Sequence, residues 1–106
     1  MEQDTLRINA LVKAAFWSLG FEAFDMGHPS ANGPDLYIEK KGRCFSVEVK
    51  TARLRSDSGP LVYPVERNRR KDDFIAIVVR DYVLIEPMAD HLRACSRSGY
   101  RTLSKL

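Results

Sequence analysis

Residues 74–79, Phe-Ile-Ala-Ile-Val-Val, are an unbroken apolar run in which β-branched side chains predominate. Successive side chains of a strand point to opposite faces, so a run without a polar member has to be covered on both sides. This excludes a sheet with one wet face and requires an apolar layer above and below a central strand. The flanking sequence can supply both layers. Between Leu6 and Leu19, the residues Ile8, Leu11, Val12, Ala15 and Leu19 recur at three- and four-residue steps, the stripe an amphipathic helix lays on a core. Asp4 or Thr5 suits its start and Gly20 its end. After Pro87 the spacing of Met88, His91, Leu92 and Cys95 predicts a second helix, stopped by Ser98 and Gly99.

The strands are read from alternation and punctuation. Phe21 to Met26 predicts a short strand, which gives way to a loop carrying Gly27, Pro29, Ser30, Asn32, Gly33 and Pro34 and ending at Asp35. Leu36 to Ile38 and Cys44 to Val49 read as a β-hairpin around the glycine of 40–43, and Tyr82 to Ile85 pairs with the central run across Arg80 and Asp81. Residues 51–73 hold Gly59, Pro60, Pro64 and many charges, so a basic loop is expected there, with Leu61, Val62, Tyr63 and Val65 as an extended piece. The order is helix, about five strands, helix. A chain of 106 residues can enclose one core, so residues 1–106 are expected to form a single α/β (α+β) domain, one mixed sheet with helices packed on it.

Composition enters mainly by exclusion. No apolar stretch is long enough to cross a bilayer, and Glu2 and Asp4 do not fit a signal peptide, so a cytoplasmic protein without membrane partners is expected. Cys44 and Cys95 stand far apart without zinc-like spacing, and His28 and His91 have no visible ligand partner; all four read as ordinary free side chains. No phosphate-binding glycine loop or nucleophile elbow is present. Net charge is only +3, but it is unevenly spread. Lys50, Arg53, Arg55, Arg67, Arg69, Arg70 and Lys71 face only Asp57 and Glu66 within 50–71, so the middle of the chain is strongly basic.

The residues that carry chemistry are Asp35, after Pro34, and Glu48-Val49-Lys50 on the second hairpin strand. With a period of two, Glu48 and Lys50 share one face while Val47 and Val49 take the other. Two carboxylates at the open end of a hairpin make a hard oxygen site of the kind Mg²⁺ accepts while keeping several waters. An ammonium beside them can hold a phosphate oxygen or an attacking water. Glu-x-Lys alone is most often a solvated surface pair. The conjunction with Asp35, the hairpin register, the first helix and the basic segment points instead to phosphodiester hydrolysis, with Asp35, Glu48 and Lys50 as the catalytic group.

From Phe16 to Thr51, through Gly20-Phe21, Gly33-Pro34-Asp35-Leu36 and Ser46-Val47-Glu48-Val49-Lys50-Thr51, the sequence resembles PD-(D/E)xK nucleases. It resembles in particular small archaeal-type Holliday junction resolvases and related phage or intron-encoded endonucleases. Residues 73–79 and 82–87 resemble the later strands of that family. The resemblance implies a restriction-endonuclease-like core and Mg²⁺ or Mn²⁺ held by Asp35, Glu48 and the backbone carbonyl of Val49, with Lys50 acting in catalysis. It also implies a DNA substrate. Many relatives carry a glutamate in the first helix that completes the metal shell. The matching position here is Asn9, which leaves Asn9 as a neutral oxygen donor or Glu2 as an acid reaching in from the helix start.

Arg53 and Arg55 follow the catalytic strand, and Arg67, Arg69, Arg70 and Lys71 precede the central one, so both groups are expected to flank a phosphate backbone. Ser30 and Asn32 either bond that backbone or serve their own turn. No recognition helix or zinc finger is visible, which favours reading of DNA shape, at a junction or other branch, over base readout. Cutting two symmetric strands suits a homodimer, with Trp17, Tyr63, Phe74 and the C-terminal helix as interface candidates. A linear-duplex endonuclease of restriction or homing type, and a catalytically silent DNA-binding subunit of the same fold, are the competing expectations.

Overall fold

The computed structural model describes residues 2–25, 36–54, 61–64, 72–95 and 100–103. Helix α1 is Glu2–Ser18, followed by β1 (Glu22–Asp25), β2 (Leu36–Lys40), β3 (Arg43–Thr51) and β4 (Arg53–Leu54). Then come β5 (Leu61–Pro64), β6 (Phe74–Val79), β7 (Tyr82–Pro87), α2 (Met88–Ala94) and β8 (Tyr100–Leu103). The five-stranded sheet runs β1-β2-β3-β6-β7 and is mixed: β3 pairs with β6 in parallel, and its other neighbours are antiparallel. The architecture is the α+β sandwich expected from the sequence.

The apolar run is the inner strand β6, and Ile75 to Val79 are all at most 5% exposed, so both faces are covered. On one face Val12 and Phe16 of α1 pack with Leu36, Ile38, Val47, Ala76 and Val78. On the other, Ile75, Ile77 and Val79 pack with Met88 of α2 and Leu103 of β8. A chain of edge-on rings, Phe16 to Phe21 at 5.7 Å, Phe21 to Phe45 at 6.3 Å and Phe45 to Phe74 at 5.5 Å, fastens the end of α1 to the first face. Such pairs add about 0.5–1.5 kcal/mol each beyond the area they bury. Phe74 is therefore occupied in the core.

The structure shifts several local expectations. Helix α1 begins at Glu2, so Asp4 and Thr5 lie inside its first turns and do not cap it. Its buried stripe ends on Phe16, whereas Leu19 falls past the last turn and is 53% exposed. The second helix stops at Ala94, where Cys95 leaves helical geometry at φ −79° and ψ 67°, short of Ser98 and Gly99. The basic stretch contains β4 and β5, which form a small antiparallel sheet with β8 in the order β4-β5-β8. Residues 100–103 alternate too briefly, and with Arg101 among them, to announce a strand.

Both hairpins have two-residue turns. Lys41 and Gly42 take φ of 53° and 79°, the left-handed pair that matches the twist of the flanking strands β2 and β3. Arg80 takes φ of 56° between β6 and β7, a conformation that costs a non-glycine residue roughly 1 kcal/mol.

Candidate active site

Strand β3 leaves the hairpin with Phe45, Val47 and Val49 turned toward α1. Ser46, Glu48 and Lys50 consequently face the other side, and the register confirms it: Glu48 pairs with Ile75, and Lys50 with Ile77, both members of the second core. Glu48 is 3% exposed although it is an acid. Lys50 reaches back along the strand so that its Nζ lies 3.5 Å from Glu48 Oε2, with its side chain 35% exposed. A carboxylate taken this far out of water needs compensation, and the adjacent ammonium supplies part of it.

The start of this region is held stiffly. Asp73, just before β6, accepts from the Ser46 backbone N–H at 2.9 Å, while its own N–H donates to the Ser46 carbonyl at 3.1 Å. The Asp73 carbonyl then accepts from the N–H of Met88 at 3.0 Å, which ties the entry of α2 to the same corner. Ala52 N–H donates to the Val78 carbonyl at 2.9 Å and prolongs the β3–β6 pairing beyond Lys50. Glu48 and Lys50 are thus displayed from the C-terminal half of a braced strand.

The row continues across the sheet. Ile75 pairs with Glu86 of β7, so Glu48, Ile75 and Glu86 lie side by side on one face, with about 9–10 Å between the outer two backbones. Helix α2 then folds over this end and buries His91 completely. His91 Nδ1 is 3.5 Å from Glu86 Oε1, and Cys95 Sγ is 3.4 Å from His91 Nε2. Burial pushes the His91 pKa below its ordinary value, and the Lys50 charge pushes it further the same way. Burial also raises the pKa of the Cys95 thiol.

Of the residues singled out in the sequence, the structure brings Glu48 and Lys50 together. Leu36, the residue after Asp35, pairs with Val47, the residue before Glu48. Asp35 itself lies outside the described residues, as do Ser30, Asn32, Arg55, Arg67, Arg69, Arg70 and Lys71. Arg53 contributes its backbone to β4 and Glu2 opens α1, their side chains being outside the description. Val49 turns its side chain to the α1 core. Asn9 is half-buried three residues before Val12, on the stripe of α1 that packs against the opposite face of the sheet, so it and Glu48 do not share a face.

No protein-family model matches the chain, and no curated protein matches it. Among solved structures it is similar to that of a bacterial homing endonuclease, I-Ssp6803I, with a TM-score of 0.72 and 19% identity. The match spans 96% of this chain and 75% of that one. The likeness establishes the fold.

Glu86 and His91 were missed as members of this neighbourhood. Glu86 sits two residues after Leu84, in phase with the face that carries Glu48, and His91 occupies a core position of the second helical stripe. Both signals were present, but each looks like ordinary packing until the strand order is known. Among the described residues no group of three or more His, Cys, Asp or Glu side chains is arranged to hold a metal ion. Glu48 offers hard carboxylate oxygen, the donor type that suits Mg²⁺ or Mn²⁺ and not a thiophilic metal.

Proposed function

We propose that the chain is a metal-dependent endodeoxyribonuclease of the PD-(D/E)xK type, hydrolysing phosphodiester bonds of DNA. The observation that carries this reading is the buried Glu48 beside Lys50 on one sheet face, in register with the strand that Asp35 precedes. In support, one structurally similar protein is a homing endonuclease. Asp35, Glu48 and the Val49 carbonyl would hold Mg²⁺ or Mn²⁺, which supplies charge neutralisation at the phosphate and a more acidic bound water.

The chain's own groups do the rest. The Lys50 ammonium, a compact point charge on a flexible stem, orients a phosphate oxygen or the attacking water and offsets charge that grows in the transition state. Burial of Glu48 against Ile75 keeps bulk water from screening that pair. Arg53 and Arg55, with Arg67, Arg69, Arg70 and Lys71, are assigned to the DNA backbone.

For substrate, two readings stand. Absence of a base-reading element in the sequence favours branched DNA cut by a homodimer, whereas the named activity of the structural neighbour favours a linear duplex. Incubation with a four-way junction and a matched linear duplex in Mg²⁺ separates them by which substrate is cut. Asp35→Ala and Lys50→Ala should abolish cleavage and leave DNA affinity largely intact, since the arginines assigned to the DNA backbone remain in both. Unchanged cleavage in both variants refutes the site; binding without turnover by the wild-type chain in either metal identifies a silent DNA-binding subunit instead.

A further inference from the structure

Among the described residues, the sheet face that carries Glu48 and Lys50 is packed over only one half. Its β6–β7 half lies under α2 and β8, and that cluster includes no residue of β1 or β2. On the β1–β2 half two large rings stand in water: Phe24 is 48% exposed and Tyr37 37%. Register fixes their side. Ala23 and Ile38 pair with each other and turn to α1, so Phe24 and Tyr37, which also pair, turn the opposite way. Tyr37 pairs on its other side with Ser46, two residues before Glu48. Phe24, Tyr37 and Ser46 therefore form a row on the Glu48 face, one row from Glu48 itself. Strand spacing puts the Tyr37 backbone about 8 Å from that of Glu48, and the Phe24 backbone about 12 Å away.

A cross-strand pair of rings stabilises a sheet wherever it occurs, but that does not select this face. Access and charge do. With α2 and β8 over β6 and β7, a substrate that reaches Glu48 and Lys50 comes across the half that holds Phe24 and Tyr37. The same row ends at the exposed Asp73, whose carboxylate accepts from the Ser46 N–H at 2.9 Å. That carboxylate repels a phosphate, which finds its cation at Lys50 instead. A base is uncharged and offers a flat π-face, the surface on which aromatic side chains stack. In continuous duplex those faces are covered by neighbouring bases, so an unpaired nucleotide is the one that can use the rings. We infer that Phe24 and Tyr37 are a stacking platform for an unpaired base of the strand on which Glu48 and Lys50 act. The inference rests on the nuclease reading and narrows it: the preferred DNA carries unpaired nucleotides beside the scissile bond, as at a flap or branch.

The test uses the full-length chain and two DNAs of equal length, an uninterrupted duplex and a duplex with a single-stranded flap. Fluorescent 2-aminopurine replaces an adenine of the flap beside the branch, and its emission falls when it stacks on a ring. Affinity and emission are read without divalent metal, and cleavage separately in Mg²⁺ and in Mn²⁺. The wild type is expected to bind the flap DNA more tightly than the duplex and to quench its emission. Phe24→Leu and Tyr37→Leu keep apolar bulk without a ring, at positions exposed enough to accept leucine. Each should weaken flap binding about tenfold, restore emission and leave duplex binding unchanged, while Tyr37→Phe, which keeps the ring, behaves as the wild type. Unchanged flap affinity and emission in both leucine variants overturn the inference, as does an equal loss on both DNAs, the result of a merely structural pair. Sedimentation that shows Phe24→Leu turning a dimer into a monomer with DNA affinity unchanged makes the rings a contact between copies and overturns it too. A wild type that stacks the flap base through these rings yet cleaves neither DNA ends the nuclease reading and leaves the platform standing.

Discussion

Glu48 and Lys50 differ sharply in access to water, and that asymmetry predicts unequal costs of removing each. The Glu48 side chain is 4% exposed and the Lys50 side chain 35%. Breaking a buried pair by deleting one partner costs about 3–5 kcal/mol, chiefly because the other charge is stranded. In Glu48→Gln the stranded group is Lys50, which can swing its ammonium into water, so the expected loss is about 1 kcal/mol or less. In Lys50→Met the group that loses this ammonium is Glu48, which is buried on a braced strand against Ile75. Discounting the buried-pair figure for the exposed third of Lys50 leaves about 2–3 kcal/mol. The difference of roughly 1–2 kcal/mol corresponds to about 4–16 °C in melting temperature for a domain of this size. Urea unfolding at pH 7 without divalent metal, read by circular dichroism, measures it directly. If Glu48→Gln costs as much as Lys50→Met or more, the buried carboxylate is not the group that depends on its partner, and the electrostatic account of the pair is wrong.

Phe16→Ala should cost about 3–5 kcal/mol in urea unfolding, since Phe16 is 1% exposed and anchors the ring chain, whereas Leu19→Ala, at 53% exposure, should stay within about 0.5 kcal/mol. Gly42→Ala has open space around the new methyl group but a φ of +79°, so about 1 kcal/mol of strain should appear as a lower melting temperature. The folded-state pKa of His91 lies below its ordinary 6.5, so on acidification the unfolded chain takes up the proton first, and stability is lost as pH falls from about 6.5 through the folded-state value. Melting curves between pH 7.5 and about 5 should therefore show a steeper decline for the wild type than for His91→Asn, and parallel curves would contradict a histidine buried in its neutral form.

The fold was legible where a pattern was long or unconditional. Six apolar residues in a row forced a strand covered on both sides, and β6 is covered by α1 on one face and by α2 with β8 on the other. The β2–β3 hairpin followed from alternation on both arms around a glycine that now shows the required positive φ. Less visible were elements whose stability comes from partners distant in sequence. Strand β8 has four residues and pairs with β5, nearly forty positions earlier, so nothing local marks it except Leu103, which fills the second core. The end of α1 was misjudged because Leu19 continues the periodicity after the backbone has turned, and apolar spacing does not register where hydrogen bonding stops.

The site divides along the same line. Side chains two apart on a strand share a face whatever the fold, so the meeting of Glu48 and Lys50 needed only the assignment of β3 as a strand. Nothing local could say which face they shared with what. That depended on β6 lying parallel to β3 and β7 following it, which sets Glu86 in the row of Glu48 and lets α2 lower His91 onto the same corner. The opposite outcome met Asn9: distance along the chain made it the counterpart of a helical acid, yet its helix covers the far face of the sheet. A motif therefore reports which groups share a strand, while strand order decides which further groups complete the site. In this chain strand order favours Glu86 over Asn9 as the next polar neighbour of Glu48, and that is why the β7 carboxylate, not the helix, is the more informative residue to change.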